Sequence, residues 1–205
     1  MSPRGVAMPD IKERLFAAAE RVLAQEGPGA LTSRAITGEA GCAKGMLHAH
    51  FAGLDEFVAE LCLDRFARTA TRAAELPDRA GEGAVAENLR GVALALFDSG
   101  GPAVAALAMT RPAAALRIRE ALESGAPGFA AIQESIAQYL AAERQLGRLP
   151  QSADTATLAL AVVGTVHHLL MTGLPGAPDP REQVERLVAL AAAGTGPPAG
   201  PAHTV

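Results

Sequence analysis

Residues 31–57, LTSRAITGEAGCAKGMLHAHFAGLDEF, restrict the fold more than any other stretch of the chain. They read as two short helices joined by a tight turn, with a third helix starting behind them. The Thr32 oxygen can accept from the unpaired amides of an opening helical turn, which makes it a cap. Ile36 and Ala40 lie four apart on one face of the helix that follows. Gly41 then supplies the permissive backbone that a sharp turn needs. The next helix is expected to begin at Lys44, with Leu47 and Phe51 facing inward and Lys44, His48 and His50 outside. A small buried corner presenting a short outward helix, with a cation at its start, is the design of a helix-turn-helix reader of duplex DNA.

The same residues resemble the helix-turn-helix of the TetR family of bacterial transcriptional regulators. The matching positions are Gly27 at the end of the preceding helix, then Thr32, Arg34 and Ile36, then Ala40-Gly41 at the turn. They continue with Lys44-Gly45, Leu47, His50-Phe51 and Glu56-Phe57. The likeness runs over residues 10–70; beyond that it consists of length and helical layout. It implies a DNA-binding domain over residues 8–70 (motif 32–51) and a helical effector-binding and dimerisation domain over 75–193. It also implies a homodimer held by a bundle of the final helices, bound to a palindromic double-stranded operator and released from it by a small-molecule effector.

Resemblance and chemistry agree on the reader. Lys44 can reach a phosphate or the acceptor edge of guanine in the major groove. Gly45 lacks a side chain, which lets the helix backbone approach the duplex. Thr32, Ser33 and Arg34 open a helix and suit phosphate oxygens, although Arg34 could pair instead with Glu39 or Glu26. Three positions depart from the family pattern. His48 replaces a tyrosine that commonly contacts the backbone phosphates, and an imidazole can still donate one hydrogen bond. Leu54 replaces a frequent phosphate-binding lysine and cannot supply that contact. Ala43 stands at the cap of the reading helix where serine is common, a change that costs roughly 1 kcal/mol of helix stability. His50, which matches, touches phosphate or packs beside Phe51.

Net charge at first opposes a nucleic-acid partner. The chain carries −4, and residues 1–60 hold six basic side chains against eight acidic ones. Placement outweighs the sum, because charges further apart than about 10 Å are largely screened at moderate salt. Between Ala40 and Leu54 there is no acidic residue, only Lys44 and two histidines. Affinity should therefore lean on few phosphate contacts per subunit and on pairing of subunits.

Composition sets the fold class. Apolar residues make up 49% but aromatics only 3%, with no tryptophan, so alanine and leucine fill the interior and favour an all-α fold. Asp10 and Glu13 resemble a capping box opening the first helix, whose stripe is Ile11, Leu15, Ala18 and Val22 and whose end is Gly27-Pro28-Gly29. A long helix is expected from residues 53–55 to 74, with Phe57, Leu61 and Phe66 facing the reader. Further helices are expected at 84–98, 103–109, 112–123, 127–146, 153–173 and 180–193. A Gly/Pro-rich disordered tail is expected over 194–205.

Phe97, Met109, Phe129, Tyr139, His167 and Met171 are the wide side chains among these alanine-rich helices, and they are the candidates for a largely apolar effector pocket. Adjacent His167 and His168 point about 100° apart and cannot readily share a metal; no metal, cofactor or catalytic set is expected. Cys42 and Cys62 fit no disulfide or metal framework and suit a reducing compartment, with Cys42 as packing at the turn. The first nine residues do not read as a signal peptide. The run from Thr155 to Pro178 lacks Asp, Glu, Lys and Arg over a membrane-span length. Its histidines, threonines and glycines make it an interface helix rather than a span. The expected dimer contact is thus through 153–173 and 180–193. The expected function is a cytoplasmic, ligand-responsive repressor and not an enzyme. The alternative is a helical small-molecule-binding or scaffold protein with a degenerate reader.

Overall fold

The computed structural model describes residues 11–98, 101–172 and 178–193. Ten α-helices are described: α1 (Ile11–Glu26), α2 (Ser33–Glu39), α3 (Met46–His50), α4 (Leu54–Ala74), α5 (Val85–Ala93), α6 (Gly101–Met109), α7 (Pro112–Glu123), α8 (Phe129–Gln145), α9 (Thr155–Met171) and α10 (Pro180–Ala193). Short 3-10 turns follow α1, α4 and α5, and no strand occurs among the described residues. Asp10 of the expected capping box, residues 173–177 and the expected tail over 194–205 lie outside them.

Packing separates two units, and the division falls within α4 after Arg65. The first contains α1–α3, the start of α4, and α6–α7. Its centre is a cluster of three rings: Phe51 meets Phe57 edge-on at 5.0 Å, and Phe16 lies 5.4 and 6.0 Å from them. Leu15, Ile36, Leu47 and Leu61 close around this cluster without exposure. The apolar stripe predicted for α1 is therefore what holds the reader together, since large apolar side chains gain most by leaving water. α6 adds Val104, Leu107 and Ala108, all buried, and packs on α1 and the turn at Pro28–Ala30.

The second unit contains the rest of α4, α5 and α8–α10. α8 packs most extensively on α9, while α10 packs on α5 and α9. Ile136, Tyr139, Val162 and Val184 form the innermost layer. Phe66 departs from expectation: its ring stacks edge-on against Phe129 at 4.9 Å, so it serves this unit and not the reader. A helix of 21 residues passes through two cores, and periodicity alone does not say which core each turn meets.

This unit also buries a polar cluster. Tyr139 and Glu143, one turn apart on α8, are both fully buried. The Asn88 amide donates to the Tyr139 hydroxyl at 3.0 Å and to the Glu82 carbonyl at 2.8 Å. Glu143 accepts from the Gly81 amide at 3.2 Å and pairs with Arg148 at 3.3 Å, and Arg148 also donates to the Gly83 carbonyl. A buried carboxylate persists only when paired in this way. Burial, with the Glu143 carboxyl nearby, pushes the Tyr139 phenol up to about 12, against a smaller opposing effect of the Asn88 amide. Asp154 caps α9, accepting from the Thr157 amide at 3.1 Å and its hydroxyl at 2.6 Å, and these bonds hold its carboxyl below the usual range. α9 stops at 17 residues. No single helix among the described residues is long and apolar enough to cross a membrane.

Candidate nucleic-acid interface

The reader is built on α2 and α3. Thr32 is extended and its oxygen accepts from the Ala35 amide at 3.1 Å, as the sequence requires of a cap. At the other end, Gly41 has φ 62°. That backbone lets the Gly41 amide reach the Gly38 carbonyl and the Cys42 amide reach the Thr37 carbonyl, at 3.1 and 3.0 Å. The two bonds together close a helix in the Schellman manner. Arg14 adds a third, donating to the Ala40 carbonyl at 2.9 Å. Thr37 is buried and returns its hydroxyl to the Ser33 carbonyl at 2.9 Å, a position that gave no signal in the sequence.

α3 starts later than expected. It begins at Met46 with Gly45 in the cap position, so Ala43 is not the cap and Lys44 precedes the helix. Ala43 offers no side-chain acceptor. Its carbonyl instead takes the Met46 amide at 2.9 Å in a backbone turn, and the Gly45 carbonyl accepts the first helical bond, from Ala49, at 3.0 Å. Leu47 and Phe51 point inward as predicted, at 0% and 2% exposure. Ala43, Lys44, Gly45, His48 and His50 are exposed. A Cβ built on Gly45 would meet nothing within 4 Å, and its φ of −80° is ordinary, so nothing within the chain requires glycine there. Phe51 is engaged by Phe16, by Phe57 and by the Lys12 ammonium 5.0 Å above its ring, while His50 is exposed beside it.

The ion pairs of this unit decide its electrostatics. Glu20 takes Arg65 through both oxygens at 2.6 and 2.8 Å, and Asp64 pairs with the same guanidinium. Glu39 takes Arg21 at 2.5 Å, which removes it as a partner for Arg34, and Glu60 takes Lys12 at 2.8 Å. Asp55 takes Arg111 at 2.5 Å and Glu56 takes Arg117 at 3.5 Å. Arg34 and Lys44 are exposed, and neither has an acidic partner among the described residues. The two unspent cations therefore sit at the opening turn of α2 and just ahead of α3.

Of the six residues expected to line an effector pocket, Phe129 and His167 meet, but the six do not form one pocket. The second unit holds an apolar cavity of about 10 Å³ lined by residues of α5, α8 and α9 and by Leu96 of the 3-10 turn after α5, among them Val92, Phe129, Ile132 and Val163. Of the six, only Phe129 lines it, with His167 edge-on to its ring at 5.0 Å. Phe97 is buried elsewhere in the core, Tyr139 belongs to the polar cluster, and Met171 is half-buried. Met109 is 65% exposed on α6, in the other unit. A space of this size holds about one water. A roomier, open cleft of about 630 Å³ lies in the first unit, with Pro28, Gly29, Leu31, Asp55, Thr110 and Arg111 in its walls.

An all-helical chain with an N-terminal helix-turn-helix and a larger helical remainder defines a class of DNA-binding regulators. Residues 15–61 match the family model described as "Bacterial regulatory proteins, tetR family". Solved structures share the fold over nearly the whole chain. A putative TetR-family transcriptional regulator of Mesorhizobium loti has TM-score 0.66 at 15% identity, covering 90% of this chain and 94% of its own. The regulator FadR of Bacillus subtilis, in complex with stearoyl-CoA, has TM-score 0.58 at 17% identity, covering 89% and 98%. A TetR transcriptional regulator of Streptomyces coelicolor has TM-score 0.57 at 24% identity, covering 92% and 99%. Comparison with curated proteins gives no match. Over residues 15–61 this chain is thus similar to the bacterial regulatory proteins of the tetR family.

Proposed function

We propose that the protein is a homodimeric, ligand-responsive transcriptional repressor that binds a palindromic operator. The observation that carries this reading is the charge arrangement of the reader. Its carboxylates are largely taken up in ion pairs, while Arg34 and Lys44 are exposed beside Thr32, Ser33, Ala43, Gly45, His48 and His50. Lys44 contacts a base edge or phosphate, and the α2 opening turn grips the phosphate backbone. Dimerisation uses α9 and α10. In support, α9 carries no Asp, Glu, Lys or Arg, and Leu160 and Leu190 are 56% and 69% exposed in the single chain. Two copies related by a two-fold axis then present both readers to one face of the duplex.

The effector is a largely apolar small molecule that enters the second unit by parting the helices around the Phe129 cavity. The stearoyl-CoA bound to the Bacillus subtilis relative has a long apolar chain, and the cavity lining here offers apolar contacts of the same kind. Such a ligand must favour the state that does not bind DNA, with a coupling of about 1–3 kcal/mol. The protein works in the bacterial cytoplasm, without a cofactor.

Selection of bound sequences from a random duplex pool tests the reading. Enrichment of a two-fold symmetric motif is the expected result. A pool that gains no consensus would favour the second reading, a helical ligand-binding protein whose reader has decayed. Leu54, which supplies no cation, is the feature that favours it.

A further inference from the structure

We infer that Arg111, at the N-terminal cap of α7, and Arg117 within it mask the two carboxylates at the edge of the DNA reader, so that parting α7 from α4 would switch DNA binding off by exposing charge. The inference rests on the DNA-binding reading above and concerns how that same surface is regulated.

α4 begins at Leu54, immediately beyond the Phe51 that closes α3, and its first turn carries Asp55 and Glu56. Four residues separate His50 from Asp55, so the five steps between them limit their spacing to roughly 18 Å even fully extended. Even that limit is within about two screening lengths, each about 10 Å at 0.1 M salt. Bare carboxylates there would repel the phosphates that Lys44 and His50 face. The cations of α1 cannot answer them, because Lys12 holds Glu60, Arg21 holds Glu39 and Arg14 holds the Ala40 carbonyl.

Neutralisation comes instead from α7, through Arg111 on Asp55 at 2.5 Å and Arg117 on Glu56 at 3.5 Å. Asp55 is 44% exposed and Arg117 52%, and pairs so open to water add little to folding stability. Their effect on the local potential is larger. With the pairs intact, the reader edge carries the two positive charges of Arg34 and Lys44. With the pairs open it gains two negative ones, and the local sum falls to zero. The Arg111–Asp55 pair lies in the wall of the open cleft of about 630 Å³, where solvent space rather than packed side chains adjoins it. α6–α7 is inserted between two segments of the second unit, so its covalent connections run at both ends to the part of the chain proposed to take the effector. Arg111 and Arg117 are thus positioning residues that act on DNA through Asp55 and Glu56.

The test uses the full chain and a fluorescein-labelled random-sequence duplex, with binding followed by anisotropy at 0.1 M salt. Arg111→Gln with Arg117→Gln should bind at least about tenfold more weakly, the scale of losing one phosphate-directed cation at 0.1 M salt. The pair Arg111→Lys and Arg117→Lys should bind like the native protein, because the charge is kept. Adding Asp55→Asn and Glu56→Gln to the glutamine variant should restore binding. Native affinity in the glutamine variant would overturn the inference. Weak binding that the acid substitutions fail to restore would also overturn it, and would make the arginines direct contacts or props of the fold. Failure of the native chain to bind duplex DNA at all would remove the proposed function together with this inference.

Discussion

Lys44 gives the sharpest quantitative test, because the reader has so few free cations. Each phosphate neutralised on duplex DNA contributes about −0.9 to the slope of log affinity against log salt. Arg34 and Lys44 have no acidic partner among the described residues, so one reader offers two such charges and a dimer offers four. The expected slope for random-sequence duplex is about −3.6, which amounts to an affinity loss of about 150-fold between 50 and 200 mM salt. Lys44→Ala removes one charge from each reader and should flatten the slope to about −1.8, a loss of only about 12-fold over the same range. Lys44 is exposed and makes no hydrogen bond or ion pair among the described residues, so the fold should be unaffected, which a far-UV spectrum checks. The assay is an anisotropy titration at several salt concentrations and fixed pH. An unchanged slope in the variant would show that Lys44 meets no phosphate. A native slope near −8 would refute the charge arrangement itself, because side chains assigned here to internal ion pairs would have to be spent on DNA.

Three further outcomes follow from the same geometry. Tyr139 is the only tyrosine and there is no tryptophan, so phenolate absorbance reports this site alone. Its ionisation should come at about 12 in the folded protein, against about 10 when unfolded. The raised value means that its contribution to stability is complete below pH 10 and is lost as pH rises from 10 to 12; ionisation near 10 in the folded chain would show that the polar cluster is open to water. Burial pushes the Cys62 thiol up to about 11, so a thiol reagent at pH 8 should modify half-buried Cys42 alone until the protein is unfolded. Rapid double labelling of the native protein would contradict the packing of α4. Gly164 lies exposed in the middle of α9, and an added Cβ there meets nothing within 4 Å. Gly164→Leu should therefore shift sedimentation equilibrium toward monomer without loss of helix, whereas unchanged association would place the dimer contact elsewhere.

Local chemistry made much of the fold legible in advance. Thr32 and Gly41 set the ends of α2 through interactions spanning a few residues, and α4, α7 and α10 begin and end close to the expected bounds. The start of α3 lies later than expected for an equally local reason. With alanine at position 43 no side-chain oxygen competes to cap, and the chain substitutes a backbone turn that leaves no mark in residue type. Phe66 and Tyr139 show a different limit. Helical spacing identifies an inward face, but it does not tell whether the neighbour across that face is Phe57 or Phe129, or an apolar wall or Asn88.

Charge is where tertiary structure changes the functional argument most. Counted along the sequence, residues 1–60 hold more acids than bases, and the natural inference is a surface hostile to DNA. In the fold, Asp55 and Glu56 are answered by arginines that lie 56 and 61 positions further along the chain, at the cap of α7 and within it. No window that stops near residue 70 contains those partners. A helix-turn-helix taken in isolation from this chain would carry two bare carboxylates beside its reading helix and would be a poorer DNA binder than the intact protein. On the proposed reading, the physical unit of DNA recognition is larger than the motif and includes a pair of helices contributed from the middle of the chain. A mutational survey confined to α2 and α3 would miss the residues by which the rest of the protein can reach the duplex.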